Sequence, residues 1–305
     1  MKDLIKHACL IGASLFLIPV LMIYASGYEK GSALAQITQN KEETQETTLL
    51  DESLIIPILA KEISYTYEYE TIKAQAVVIR TYMARRALGI QTTGELVGYT
   101  EEEMKELWKE DYESIYKTYE EAVEDTKDEI IWYNNQPIQA LYHKASGECT
   151  RSANDVYNIE IPYLISVSNE KVLGSTQIKM SKKEVAETLK QNYNDIIIDD
   201  EHLENQIQII EKDKAGYIKS IQIGNLILEG EKFRDVLGIP SSNFKIYLAG
   251  NDLIFDVVGS GLGIGLSQDG ANEMVKQGKD YKEVIEYYYT GVDVKAYGEI
   301  NNWFF

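Results

Sequence analysis

The sequence predicts an α+β fold, with mixed helices and antiparallel hairpins forming a groove, after an N-terminal transmembrane helix. Three observations predict it. Helix-period and strand-like segments follow one another without the regular β-α-β alternation of a parallel sheet. Tight-turn pairs such as Gly224-Asn225 join short apolar runs. Residues 8–25 are almost wholly apolar, approaching the roughly 20 residues that span a bilayer.

In chain order, Lys2 and Lys6 precede that apolar run and favour an N-in orientation, which puts everything after Ser26 outside. The competing reading is a cleaved signal peptide, for which Ala33-Leu34-Ala35 supplies a small-x-small site. The expectation adopted is a membrane anchor over 1–26, a polar flexible linker over 27–48 and one folded domain over 49–305.

The domain opens with a short helix over Leu54–Ile63 and a longer one over Glu70–Leu88, where Ile72, Ala76, Ile79 and Met83 recur at helical spacing. Thr100 and Glu103 form a capping box for a helix running to about Thr126, with a charged, solvated face. Ile130–Tyr133 and Ile138–His143 flank Asn134-Asn135-Gln136-Pro137 as a hairpin. Ser181 with Glu184 caps a helix to Tyr193. Strands follow over Gln206–Ile210, Tyr217–Ile223, Leu226–Glu229, Phe244–Leu248 and Leu253–Val258, and a helix over Asp280–Tyr289 closes the domain.

The chain has 305 residues and a net charge of −19, which argues against nucleic-acid binding through an electrostatic footprint. Cys9 sits in the apolar run and Cys149 in the folded domain, so no intramolecular disulfide is expected. Of His7, His143 and His202, only His143 is placed to serve a site. There is no G-x-S-x-G elbow and no H-E-x-x-H, so carboxylate acid–base chemistry is the default enzymatic reading.

Glycine falls at alternate positions from Gly259 to Gly265, directly before Ser267-Gln268. Four glycines cost backbone entropy and mark a place where backbone passes close to something else. Three readings compete: a phosphate loop, which lacks the dinucleotide spacing; a structural turn; and a saccharide or peptide groove with Ser267 and Gln268 as donors. His143 and Cys149, six apart, could offer two ligands to a structural zinc, with Asp155 the nearest third; otherwise His143 and Ser146 line a sugar groove.

Ala60-Lys61-Glu62-Ile63 with the run from Glu70 to Tyr82 resembles the signature of the stage II sporulation protein D family, which comprises exported peptidoglycan lytic transglycosylases and proteins described as amidase enhancers. Ala140-Leu141-Tyr142-His143-Lys144-Ala145-Ser146-Gly147 resembles its His-x-x-Ser-Gly block, followed by Ile161-Pro162-Tyr163-Leu164. Gly230 to Phe244 resembles its G-x-x-x-R-x-x-L-G-x-x-S block. The glycine ribbon resembles G-x-G-H-G-x-G-M-S-Q-x-G-A, but Leu262 stands where the family has His and Leu266 where it often has Met.

The resemblance implies that Glu62 is the catalytic acid of a lytic transglycosylase, with no cofactor required. Such an acid protonates the bridge between N-acetylmuramic acid and N-acetylglucosamine, then takes the C6 hydroxyl proton as a 1,6-anhydro ring closes. Expected substrate contacts are Lys73, Arg80, Tyr142, His143, Ser146, Ser267 and Gln268. The implied setting is forespore engulfment outside the cell membrane, on glycan strands freed of stem peptides, with stage II sporulation proteins P and M as partners. The rival functions are a glycan-binding amidase enhancer and a scaffold of the same complex.

Overall fold

The computed structural model describes residues 50–298 except 91, 93 and 170–174. The expected anchor over 1–26 and the linker over 27–48 lie outside the described residues. Among the described residues, no helix is long and apolar enough to cross a membrane.

A 3-10 turn at Glu52–Leu54 leads into α1 (Ile55–Glu62) and, after a short loop, α2 (Tyr69–Ala87). α1 buries Ile55, Ile56, Leu59 and Ala60, and α2 is so enclosed that most of its circumference is buried. The Thr100 capping box is formed on both sides, as the sequence predicts. The single helix expected to Thr126 is instead broken into α3 (Glu101–Trp108) and α4 (Tyr112–Asp125). Lys109 takes φ 49° at the break. The kink lets Trp108 stack on Tyr112 and Tyr119, with centroids 6.1 and 5.8 Å apart.

β1 (Glu129–Tyr133) turns through Asn134 and Asn135, both at positive φ, into a very short β2 (Gln136–Pro137). The predicted second hairpin strand does not run to His143. β3 (Tyr142–His143) leaves that sheet to pair in parallel with β10 (Leu266–Ser267). A short helix, α5 (Ala153–Tyr157), follows β3.

Residues 175–258 build a β-rich half. It holds β4 (Ser175–Ser181), α6 (Lys182–Asn192), β5 (Ile207–Lys212), β6 (Ile218–Ile223), β7 (Leu226–Glu229), α7 (Gly230–Leu237), β8 (Phe244–Ala249) and β9 (Asp252–Val258). Its two antiparallel sheets run β4-β9-β8 and β5-β6-β7. β4 and α7 are absent from the sequence reading. β4 is polar and mostly exposed, and its apolar alternation is limited to Ile178 and Met180, too short a signal to mark a strand. The chain then returns through β10 to α8 (Gln268–Lys276), α9 (Tyr281–Tyr288) and β11 (Asp293–Ala296), which pairs with β1.

Candidate active site

Four elements meet at Glu62: the end of α1, the buried face of α2, β3 and the start of α8. α1 stops because Ile63 turns extended (φ −138°, ψ 141°) and buries its side chain. Tyr119 fixes that turn by donating its hydroxyl to the Ile63 carbonyl at 2.7 Å. A helix end leaves carbonyls without intrahelical donors. Here the Glu62 carbonyl accepts from Gln268 Nε2 at 2.9 Å. Gln268 Nε2 also lies 3.2 Å from Gln75 Oε1 on α2, and both amides are buried.

The Glu62 side chain is half-buried, and its Oε2 accepts the Tyr142 hydroxyl at 2.6 Å. Burial first, then the bond to Glu62, raises the Tyr142 pKa above the ordinary tyrosine range. The first turn of α8 clasps the loop after Glu62. Tyr67 donates to Asp269, while the Glu68 amide and the Thr71 hydroxyl both donate to Asn272 Oδ1, at 2.7 and 3.2 Å.

The glycine ribbon runs alongside residues 141–147, so what its backbone approaches is this protein's own β3 segment. Gly265 has φ +74°, and a Cβ there would stand 1.9 Å from the Leu141 carbonyl oxygen. Gly261 has φ +97°, and its Cβ would press to 2.9 Å from His143 Cβ. Of the three readings, the structural one accounts for this closeness. Leu262 packs against the core while its carbonyl accepts from Arg151 at 3.2 Å.

The expected site residues divide sharply. Tyr142 and Gln268 do converge on Glu62, but the Tyr142 hydroxyl is spent on the Glu62 carboxyl group and Gln268 Nε2 on the Glu62 carbonyl and Gln75. Ser267 is the N-cap of α8, its Oγ accepting from the Gly270 amide at 3.3 Å, which corrects the expectation of a groove donor. Ser146 is fully buried and accepts from Asn169 at 2.8 Å, so it does not line a surface groove. His143 is buried too, with Nδ1 3.1 Å from the Ile264 carbonyl. Burial lowers its pKa to about 4. It is a core histidine of β3.

Arg80 is 0% exposed. Its fork grips Glu52 at 2.8 and 2.9 Å, and its other donors reach Thr126 Oγ1 and the carbonyls of Val123 and Glu129. With its hydrogen-bonding directions taken inside the fold, the expected substrate contact is withdrawn. Lys73 is partly buried against Glu70 at 2.8 Å and lies 4.5 Å from the Tyr281 ring centroid. It stands as a packing cation on the same α2. For zinc, the described residues offer no group of three or more His, Cys, Asp or Glu side chains able to hold a metal. The suggested third ligand, Asp155, instead caps its own helix by accepting from Ser152. His143 and Cys149 alone do not make the four-ligand set a structural zinc takes.

Sequence reasoning missed Arg151. It is 2% exposed, pairs with Asp213 at 2.7 Å and Glu231 at 2.6 Å, and lies 4.6 Å from the Tyr217 ring centroid. Its partners lie 62 and 80 residues along the chain, so no local pattern marks it. An open groove of about 690 Å³, lined among others by Leu54, Pro57, Ile58, Tyr82, Leu96 and Tyr99, runs beside the site. Glu62 is not in its lining but lies one turn beyond Ile58, and Tyr82 is close enough to Tyr142 to act on it electrostatically.

Comparison with known proteins identifies the family. The family model described as "Stage II sporulation protein" matches residues 39–133. The chain is 30% identical to stage II sporulation protein D of Bacillus subtilis (strain 168) over 256 residues, covering 80% of this chain and 74% of that protein. It is 27% identical to stage II sporulation protein D of Bacillus amyloliquefaciens over 264 residues, 80% of this chain and 73% of the other. An amidase enhancer of Bacillus subtilis (strain 168) is 21% identical over 297 residues, 79% of this chain and 40% of the enhancer. A relative 30% identical, matched over 80% of this chain and 74% of its own length, shows that the chain belongs to the stage II sporulation protein D family.

Proposed function

We propose that this protein is a peptidoglycan lytic transglycosylase with Glu62 as its acid and base. One observation carries the reading: the Glu62 residue, set at a helix end, is fixed from two sides by Tyr142 on its Oε2 and Gln268 on its backbone carbonyl. Ordinary glycosidases pair two carboxylates. A transglycosylase that closes an internal ring needs one, because the attacking hydroxyl comes from the sugar. Glu62 gives its proton to the bridging oxygen as the bond from muramic C1 breaks. The C6 oxygen then bonds to C1, and its proton returns to the Glu62 carboxylate. No water is consumed and the carboxyl group is restored.

Sporulation is the family's setting, and a wall glycan freed of stem peptides is the proposed substrate. An outward-facing domain behind an N-terminal anchor, and stage II sporulation proteins P and M as partners, complete the proposal. The test is incubation of the purified chain with denuded glycan. Release of 1,6-anhydro-ended fragments that a Glu62→Gln variant cannot produce supports it; a variant that still releases them overturns it.

A second reading has its own observation. Leu262 replaces the family histidine with an apolar side chain turned to the core, and the amidase enhancer is a relative. A non-catalytic enhancer would release no anhydro ends alone and would accelerate an added wall amidase.

A further inference from the structure

We infer that Tyr142 is a positioning residue that divides the two oxygens of Glu62 into a held one and a working one. The inference rests on the transglycosylase reading above. Its hydroxyl donates to Oε2 at 2.6 Å, and among the described residues Oε1 has no hydrogen-bond partner. A hydrogen bond to one carboxyl oxygen fixes the rotation of the group and leaves the other lone pairs for substrate.

The geometry is set from both flanks of β3. On one side the Leu141 carbonyl accepts the Tyr289 hydroxyl at 2.6 Å and the Leu266 amide at 3.0 Å. On the other, His143 is anchored to the Ile264 carbonyl, beside Gly261, where an added Cβ would come within 2.9 Å of His143 Cβ. Tyr142 between them has little freedom to turn. Glu62 is held independently, through its carbonyl, by Gln268. The hydroxyl and the carboxyl group therefore meet because two separately fixed backbones bring them together. Fixing a reacting group in this way removes rotational freedom that would otherwise be lost at the barrier.

In the proposed reaction Oε1 is the oxygen that exchanges protons. It gives its proton to the bridging oxygen as the C1–O bond breaks, and receives the C6 hydroxyl proton as the O6–C1 bond forms. Tyr142 keeps its own proton throughout, consistent with the buried position that disfavours its ionisation.

The test uses the full chain and the Tyr142→Phe substitution, which removes the hydroxyl and keeps the ring. On denuded glycan, kcat is expected to fall about tenfold to a hundredfold while KM stays within about twofold. A raised KM with kcat unchanged would make Tyr142 a substrate contact, and an unchanged kcat would leave it no role in the reaction; either result overturns the inference. A second arm does not depend on activity. In a thermal double-mutant cycle with Glu62→Ala, the Tm of the double variant should fall no further than that of the weaker single variant. Additive losses would show that the hydroxyl does not hold the carboxyl group. If the unsubstituted chain released no anhydro ends, the transglycosylase reading would fail, and the cycle would still decide whether Tyr142 holds Glu62.

Discussion

The helical half around Glu62 and the β-rich half over 175–258 are built on different principles. The β-rich half closes on apolar contacts, with Phe233, Phe244 and Phe255 packed at centroid distances of 5.6 to 6.4 Å beneath two antiparallel sheets. Its strand pairs are mostly hairpin neighbours in sequence. The helical half instead buries Gln75, Arg80, His143, Ser146 and Gln268, several satisfied from far along the chain. Gln268 reaches Glu62 across 206 residues. The difference teaches that a core of apolar side chains suffices to hold a scaffold. A fixed carboxyl group demands polar groups inside, most of them with partners because an unpaired one is costly, though Gln75 Nε2 and His143 Nε2 have none among the described residues.

The largest break in this comparison should come from Gly265→Ala. Its Cβ would meet the Leu141 carbonyl at 1.9 Å at a positive φ, so β3 must move. A loss of about 4 kcal/mol, or failure to fold, is expected by chemical denaturation.

Arg151→Ala follows closely, because it leaves Asp213, only 1% exposed, without its cation where the halves join. The expected cost is roughly 3–5 kcal/mol. An Arg151→Ala protein as stable as the parent would show that this join contributes little.

The two histidines sharpen the contrast through pH. Burial holds His143 at about 4, below the 6.5 of an unfolded chain, so the unfolded state binds the extra proton between those values. Its contribution is intact above pH 6.5 and is lost as pH falls toward 4, on the order of 3 kcal/mol. Removing it by His143→Gln should flatten the stability profile across that window. In the β-rich half, exposed His202 bonds Asp199, which raises its pKa. That contribution has the opposite sign, present at low pH and fading as pH rises through the folded value. A His202→Gln variant should therefore lose only a small acid-side increment.

Gln268→Ala should cost about 1–2 kcal/mol and, if the chain acts as the proposed transglycosylase, lower the release of anhydro ends, since the Glu62 carbonyl loses its donor. Smallest of all, Ser181→Ala in the β-rich half removes the cap on α6 and should cost about 1 kcal/mol with activity unchanged.

Much of the scaffold was legible because its signals are local. The bounds of α1 and α2, the Thr100 and Ser181 caps and the Gly224-Asn225 turn all fall within a residue or two of where the pattern puts them. The break at Lys109 was not legible, since helical periodicity runs through it and only the stacking of Trp108 shows why it pays to kink. Nor was the departure of β3, whose partner β10 lies more than a hundred residues away. At the site, the blocks pointed to Glu62, Tyr142 and Gln268. Lys73 and Arg80 share a helix and a spacing, yet that spacing does not say that Arg80 faces Glu52 in the interior.

The sequence by itself determined where helices start, where hairpins turn and which blocks mark the family, because caps, turns and periodicity depend on residues a few positions apart. Only the tertiary structure decided which polar groups face a substrate and which are spent inside. The tyrosine on the Glu62 side chain, the glutamine on its carbonyl and the glycines that admit β3 come from distant stretches of chain. They gain meaning only when folding brings them within hydrogen-bond or van der Waals distance.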